Sequence, residues 1–321
     1  MTTVDVVIVT WNAAAVVAEC LTAVSAAAAA SRHDVTVVVV DNGSADGTSA
    51  VVRETTPDAV VVRSEENLGF AGGAALGIAR SRSDVVVLVN DDAVVAPDFV
   101  QVLVDSLVAS PDRVAAVTAH LLLAGTEDAA GRLLVNSTGN EVTPSGNGRD
   151  RGYRTRDGGA PDPTDVFGFC GGAAALRRSA LASAGSFDAS LFLYYEDTEL
   201  SWRLRRRGFV VRYEPRAVVV HRHAFSSGTR SDVFAFHNAR NRLLVATRHA
   251  PGRVALRAWA SALGRVAGLA LGRGDRGTRG AVLRGTLAAV AALPRELRHR
   301  RQEDRATVVP ARELRALVSR R

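Results

Sequence analysis

The run VVVLVNDD at residues 85–92 ends an apolar stretch on Asn90, Asp91 and Asp92. Five apolar residues in succession predict a strand buried on both faces. A carboxylate pair directly behind it stands at the strand's carboxyl end, where open α/β sheets bind ligands. Carboxylates are hard oxygen donors suited to Mg2+ or Mn2+, and an ion held with open coordination positions can grip a diphosphate. For an isolated Asp pair a solvated turn is the competing reading. Here a second acidic pair, Glu196-Asp197, opens a helix in YYEDTELSWRLRRRG. Acids in a first turn suit the helix dipole, so they could simply cap it. Tyr194 and Tyr195 before the pair, with Leu200 and Leu204 one turn apart, give that helix an apolar anchor. Asp197 would then sit at a pocket rim, where a carboxylate can act as general base on a hydroxyl.

Other strand ends carry weaker signals. His221 closes the strand AVVVH, with His223 beside it; a histidine there can be structural or a metal ligand. Asp41, in Asp41-Asn42-Gly43-Ser44, can close a turn or accept the ring N–H of uracil or thymine. Residues 66–73, ENLGFAGG, open a helix whose backbone amides can meet phosphate or sugar oxygens, or form a plain loop. The first strand ends in Thr10-Trp11-Asn12 without glycine, and GFAGGAALG has the wrong glycine spacing for G-x-G-x-x-G. A nicotinamide or flavin cofactor is therefore not expected.

These groups need a scaffold. Strands are predicted at 4–9, 35–40, 60–63 and 85–89, alternating with helices at 13–30, 46–55, 72–81 and 97–109. Repeated βα units imply a mostly parallel twisted sheet flanked by helices. A strand near 114–122 follows. Residues 124–165, rich in Gly, Pro, Asp and Asn, read as hairpins and long loops. Regular structure returns at 167–176, with a helix at 196–207 closed by Gly208, strands at 209–213 and 217–221, and a helix at 232–249.

The chain of 321 residues is 47% hydrophobic and can bury a sizeable core. Cys20 and Cys170 show neither metal-ligand spacing nor a disulfide framework. Neither a basic leader nor an apolar stretch of spanning length is visible, which points to the cytoplasm. The chain has no lysine, and residues 251–321 hold 16 arginines against 5 acids. Composition changes at Pro251-Gly252, which is read as a domain boundary before a basic helical tail. Its apolar stretches at 254–272 and 281–293 are interrupted by Arg257, Arg265 and Arg284. On a helix, Leu256, Leu263, Val266 and Ala270 can share a face with Trp259 while arginines snorkel from its edges. Two arrangements fit: helices lying on an anionic membrane surface at the inner face of the cell membrane, or a hairpin packed on the body with a solvated basic face. Nucleic acid is not an expected partner, because the tail lacks interleaved aromatics and any recognisable motif.

In order along the chain, TWN (10–12), DNGSADGT (41–48), ENLGFAGG (66–73), NDD (90–92), GGAAALRR (171–178), YEDTELSWRLRRRG (195–208) and RNRLL (240–244) resemble family 2 glycosyltransferases, most closely the bacterial rhamnosyltransferase-like branch. The resemblance covers about residues 4–250. It implies a GT-A fold over 1–250, with a nucleotide-sugar half to about 120 and an acceptor half from 121. Asp41 would read the pyrimidine, within a donor site of Thr10, Asn12, Asn67, Gly69, Gly73, Asn90 and Asp91. Asp92 and His221 would be metal ligands, Asp197 the base with Glu196 beside it, and Gly171, Gly172 and Trp202 would meet the acceptor. Asn90 departs from the first acid of the family's D-x-D pattern. The implied reaction is inverting transfer from a nucleotide-diphosphate donor, first dTDP-rhamnose, to a glycan or polyprenyl-linked acceptor, with Mn2+ or Mg2+ as cofactor. It would serve cell-wall or polysaccharide synthesis. A sugar-nucleotide pyrophosphorylase and a non-catalytic nucleotide- or carbohydrate-binding module are the rivals. TWN lacks the basic Gly-rich loop of the first, and a binder needs no base.

Overall fold

The structure, a computed structural model, describes residues 1–158, 164–222, 231–272 and 277–319. His223 lies outside the described residues. The first half alternates β1 (Thr3–Thr10), α1 (Val17–Ala29), β2 (Asp34–Asn42), α2 (Thr48–Thr55), β3 (Val60–Ser64), α3 (Gly69–Arg80) and β4 (Val85–Asn90). There follow β5 (Ala93–Val95), α4 (Phe99–Val108), β6 (Val114–Leu123), β7 (Leu134–Ser137), β8 (Asn140–Val142), β9 (Gly148–Asp150), β10 (Thr164–Val166), β11 (Ala173–Arg177) and α5 (Arg178–Ala184). The last part holds α6 (Glu196–Arg206), β12 (Val210–His221), α7 (Asp232–His249), α8 (Gly252–Ala270), α9 (Arg279–Arg305) and α10 (Ala311–Ala316).

Among the described residues one sheet runs β10-β12-β6-β11-β4-β1-β2-β3, with β5 on β12 and β7 on β6. Strands β1 to β4 pair in parallel, β11 runs against both β4 and β6, and β6 pairs in parallel with β12. Alternation along the strands feeds two layers. Val4, Val6 and Ile8 join Val85, Val87 and Val89 under α1 and α4. Val7 and Val9 join Val86 and Leu88 on the other face, with Ala74 and Ile78 of α3. The expected mostly parallel sheet covered on both faces is thus present.

Several bounds differ from the sequence expectation for identifiable reasons. Helix α1 starts only at Val17 because the Ala13 and Ala14 amides are held by Thr48 Oγ1 at 2.9 Å and Asp46 Oδ2 at 3.1 Å. The two strands expected at 209–221 are one strand, β12, irregular between Tyr213 and Val218 around Pro215, which cannot donate to a ladder. The short β5 and α5 were not expected. In the tail, Ala258, Ala262, Ala289 and Leu314 share a core with Trp202, Leu243 and Leu244. No helix among the described residues is long and apolar enough to cross a membrane.

Gly73, expected at the donor, does structural duty instead. It stands on the face of α3 against β1, where an added Cβ would come 2.5 Å from Val9 Cγ1. Alanine favours a helix over glycine by about 1 kcal/mol. Gly73→Ala is nonetheless expected to lose about 1–3 kcal/mol through overpacking. A urea midpoint that rises in this variant would refute the close-packing role.

Candidate active site

Strand β1 lies between β2 and β4, so the chain crosses to opposite sides of it. Such a switch point leaves a crevice beyond the strands' carboxyl ends. Val9 pairs in register with Asn90, which sets Trp11 beside Asp91 at the crevice rim. A cavity of about 510 Å3 occupies this position.

One wall carries the NDD carboxylates. Antiparallel pairing of β12 with β5 sets His221 opposite Ala93, so a histidine far along the chain arrives beside Asp92. His221 Nε2 lies 2.9 Å from Asp92 Oδ1, and both side chains are buried. On the other side of the ring, Nδ1 is 2.6 Å from Asn136 Oδ1. A carbonyl oxygen only accepts, so Nδ1 carries a proton. The Asn90 side-chain amide nitrogen stands 3.2 Å from Nε2. Nε2 and a carboxylate oxygen stand 2.9 Å apart at the cavity wall, a nitrogen and a hard oxygen of the kinds that ligate divalent ions. A neutral imidazole oriented by an outer hydrogen bond is the usual state of a metal-ligating histidine. The pair fits a divalent ion with its other positions open. Among the described residues no group of three or more His, Cys, Asp or Glu gathers to hold one unaided. Burial, with Asp92 beside it, pushes the Asp91 carboxyl up to about 7.

The other acidic group comes from the first turn of α6. Asp197 Oδ2 accepts the Gly171 N–H at 3.1 Å and Oδ1 accepts the Thr198 N–H at 2.5 Å. Glu196 is 7% exposed and one of its carboxyl oxygens has no hydrogen-bond partner among the described residues. Burial pushes its carboxyl up to about 8, and the charge of Asp197 adds to the rise. The approach to this turn is strained: Phe192, Tyr194 and Tyr195 all have left-handed φ, at 65°, 67° and 72°. Bulky residues avoid that region unless their surroundings hold them there. Asn241 of α7 supplies the hold. Its Nδ2 donates toward the carbonyls of Leu191, Leu193 and Tyr194, each at 2.9 Å. Gly69 at the start of α3 accepts the loop from below; a Cβ there would strike the Phe192 carbonyl oxygen at 2.2 Å.

Asn67, Gly69, Asn90, Asp91, Asp92, Gly171, Gly172, Glu196, Asp197 and His221 all line the cavity. Trp202 does not. It is 1% exposed and packs edge-on against Phe167, 4.9 Å between centroids, so its expected contact with an acceptor is corrected to a core role. Thr10 and Gly73 are buried behind the wall. Asn12 is exposed and clamps the next loop, its Oδ1 accepting the Ala45 N–H at 2.9 Å. The Asp41 side chain has no exposure and is engaged by Arg63, Ser49 and the Ser44 amide. Burial opposes its charge, but Ser49, Ser44 and Arg63 prevail and hold the carboxyl below its usual range. In its place Asn42 reaches the cavity, bracing Asn67 and the Gly69 carbonyl at 3.1 and 3.0 Å. Asn136, Asp150 and Phe192 also line it and were missed. They lie on short polar strands or a strained turn with no periodic signal.

A family model described as Glycosyl transferase family 2 matches residues 5–185. An N-acetylglucosaminyl-diphospho-decaprenol L-rhamnosyltransferase of Mycobacterium tuberculosis is 26% identical over 248 residues, covering 68% of this chain and 77% of the relative. A poly-beta-1,6-N-acetyl-D-glucosamine synthase of Staphylococcus aureus is 23% identical over 184 residues, covering 57% of this chain and 41% of the relative. Among solved structures, a mannosyltransferase of Pyrobaculum calidifontis in complex with GDP-Man and Mn2+ aligns with a TM-score of 0.53 at 20% identity, over 91% of this chain and 86% of that one. Residues 1–349 of TarS from S. aureus align with a TM-score of 0.52 at 15% identity, over 95% and 88%. The architecture is the GT-A fold.

Replacing Asn241 by alanine would take this donor from the Leu191, Leu193 and Tyr194 carbonyls, of which Leu191 keeps the Leu193 N–H at 2.8 Å. The expected cost is about 1–3 kcal/mol of stability, with faster hydrogen exchange of the amides at 192–198. Unchanged exchange across that segment would show that Asn241 does not hold the turn.

Proposed function

Because the chain belongs to glycosyltransferase family 2, we propose that it is an inverting transferase in which Asp197 is the base and Asp92 with His221 grips a divalent ion on the donor diphosphate. As a member of that family it is a glycosyltransferase, and the pyrophosphorylase and bare binding-module readings fall away. The observation that carries the residue assignment is the sharing of one cavity by Asp197 and the Asp92–His221 pair. A base for the acceptor and a site for the leaving group are thus within reach of one sugar.

The ion, Mn2+ or Mg2+, would neutralise the charge that develops on the departing diphosphate. With so few protein ligands, diphosphate oxygens and water complete its shell, so ion and donor bind together. Asn136 orients His221 through Nδ1, and the Asn90 amide 3.2 Å from Nε2 would yield that nitrogen to an ion. Asn67 and the start of α3 meet the nucleotide-sugar. Asp197 takes the proton of the acceptor hydroxyl, whose oxygen attacks the anomeric carbon from the face opposite the diphosphate. The new glycosidic bond forms as the bond to diphosphate breaks, and with no enzymic nucleophile the configuration inverts.

For the donor, dTDP-rhamnose comes first, supported by the name of the mycobacterial relative, which also supports an acceptor sugar on a polyprenyl diphosphate. The tail supports a membrane-surface location. Leu256 and Leu263 on α8, Leu271 just after it, and Leu287, Val290 and Leu297 on α9 remain exposed although both helices pack on the body. Exposed Arg253, Arg257, Arg284, Arg298 and Arg301 flank them. Trp259 is not part of that outer face; its indole N–H turns inward to Thr247 Oγ1 at 2.9 Å.

The deciding experiment is a donor screen that measures released UDP, dTDP or GDP with and without Mn2+. dTDP-rhamnose is expected to be turned over; UDP-hexoses or UDP-galactofuranose alone would overturn the donor assignment. Asp197→Asn should keep donor affinity and lose about 10²–10⁴-fold in turnover, the scale of a general base. Asp92→Ala should weaken ion and donor binding together. Near-normal turnover in the first variant, or unchanged donor affinity in the second, would remove the corresponding role.

Membrane docking is tested by flotation with vesicles containing anionic lipid. The full chain should float at low salt and dissociate at high salt, since basic residues contribute about 1 kcal/mol each near such a surface. Failure to float at low salt would leave the tail as a packed hairpin with a solvated face.

A further inference from the structure

A groove of about 850 Å3 runs from the β8–β9 hairpin to the first turn of α6. It joins the active-site cavity through Asp150, Glu196, Asp197, Tyr194 and Phe234, which line both. The hairpin forming its floor is firmly seated. Gly148 lies so close to α6 that a Cβ would come 2.8 Å from Thr198 Oγ1. The Ser319 N–H donates to the Val142 carbonyl at 2.7 Å, and Arg242 donates to Asn147 Oδ1 at 2.8 Å. Asp150, the last residue of β9, is therefore held in a fixed place facing the pocket.

The inner end of the groove is acidic, with Asp150, Glu196 and Asp197 together. The Glu196 oxygen that lacks a partner belongs to a side chain more than nine-tenths buried, so this end is short of a hydrogen-bond donor. Arg149 is the cation lining the groove among the described residues, and it is already bound to Glu141 at 2.5 Å. Tyr194 and Phe234 add an aromatic wall, edge to face with centroids 5.0 Å apart. A buried carboxyl oxygen short of a partner, beside aromatic rings, suits a polyhydroxylated ring with no negative charge of its own.

Resting on the transfer reading for Asp197, we propose that this groove takes the acceptor's terminal sugar, that the sugar must be neutral with hydroxyls on adjacent carbons, and that Asp150 and Glu196 bind the hydroxyl next to the one Asp197 deprotonates. Acidic sugars such as uronic acids are excluded by the same carboxylates. Burial pushes the Asp150 carboxyl up to about 6, against the opposing Ser137 hydroxyl and with Asp197 adding to the rise, which fits a crowded acidic site.

The test is saturation-transfer NMR on the full chain with Mg2+ and dTDP. The probes are methyl β-D-glucopyranoside, methyl N-acetyl-β-D-glucosaminide and methyl β-D-glucuronide. This binding measurement needs no turnover, so its outcome is separate from that of the donor screen. Both neutral glycosides should bind at least about tenfold more tightly than the glucuronide, the scale of one hydrogen bond to a charged group. Asp150→Asn, close in shape and chosen to keep the fold, should narrow that preference about tenfold. Equal binding of glucuronide and neutral glycosides to the unmodified chain would overturn the proposal, as would an unchanged preference in Asp150→Asn. The first comparison needs no variant to fold.

Discussion

The carboxylate of Glu199, 1% exposed, is the point from which helix α6 is held. Arg203 Nη2 donates to it at 2.6 Å and Arg248 Nη1 at 3.2 Å, while His249 Nε2 lies 2.8 Å away. Arg248 in turn reaches Glu296 of α9 at 2.7 Å and Asp188 at 2.6 Å. Burial alone would raise the Glu199 carboxyl, but Arg203 and His249 outweigh it and hold it well below the usual range. A depressed carboxyl stabilises the fold above the ordinary carboxylate range, and that contribution is lost as pH falls through the folded value. Such buried clusters add little net stability over an apolar packing, yet removing one partner strands a charge at a cost of about 3–5 kcal/mol. Here the cluster fixes direction. Glu196 and Asp197 stand one turn earlier on α6, so their place depends on α7 and α9 as well as on the sheet. The arginine-rich tail is mechanically part of the site it follows in sequence.

The same helix is constrained again where it begins. Three aromatic residues with left-handed φ, at positions 192, 194 and 195, would relax if released. Asn241 and the missing Cβ of Gly69 hold the turn from opposite sides. The contact of Gly69 with Phe192 also joins two walls of the cavity, because α3 packs on the parallel strands and the turn leads into α6. The Ala71 N–H donates to the Phe192 carbonyl at 3.0 Å and completes that joint. A shift of the turn would therefore be felt on both walls.

The parallel half of the sheet was readable because its strands are buried on both faces and so are written as unbroken valine runs between turn residues. NDD and ED were readable because acids bound those runs or that helix. Asn136 and Asp150 were not, since they lie on strands of three or four residues inside a Gly- and Asn-rich stretch that carries no period. Asn241 was hidden for a different reason: a polar residue inside a helix looks solvent-facing until the turn it binds is in place. Trp202 failed in the opposite sense. Its neighbours in the motif line the pocket, but a helix turns 100° per residue, and position 202 points into the core. Asp41 stands at the expected strand end, yet Arg63 one strand over engages its carboxylate, a pairing that spacing alone does not disclose.

The charge of the cavity bears on the asparagine that replaces the first acid of D-x-D. Asp91, Asp92, Asp150, Glu196 and Asp197 all line it, and no arginine does so among the described residues. The chain has no lysine to supply one. A diphosphate entering such a space meets acidic groups and no side-chain cation among the described residues, which in a partly dry site is unfavourable. An amide at Asn90 in place of a carboxylate lowers the charge that a donor diphosphate would meet. The amide also stands 3.2 Å from His221 Nε2. On the transfer reading, a divalent ion is the counter-charge that makes this acidic cavity a diphosphate site. On that same reading, the amide at Asn90 lowers the charge that would hold the ion before the donor arrives.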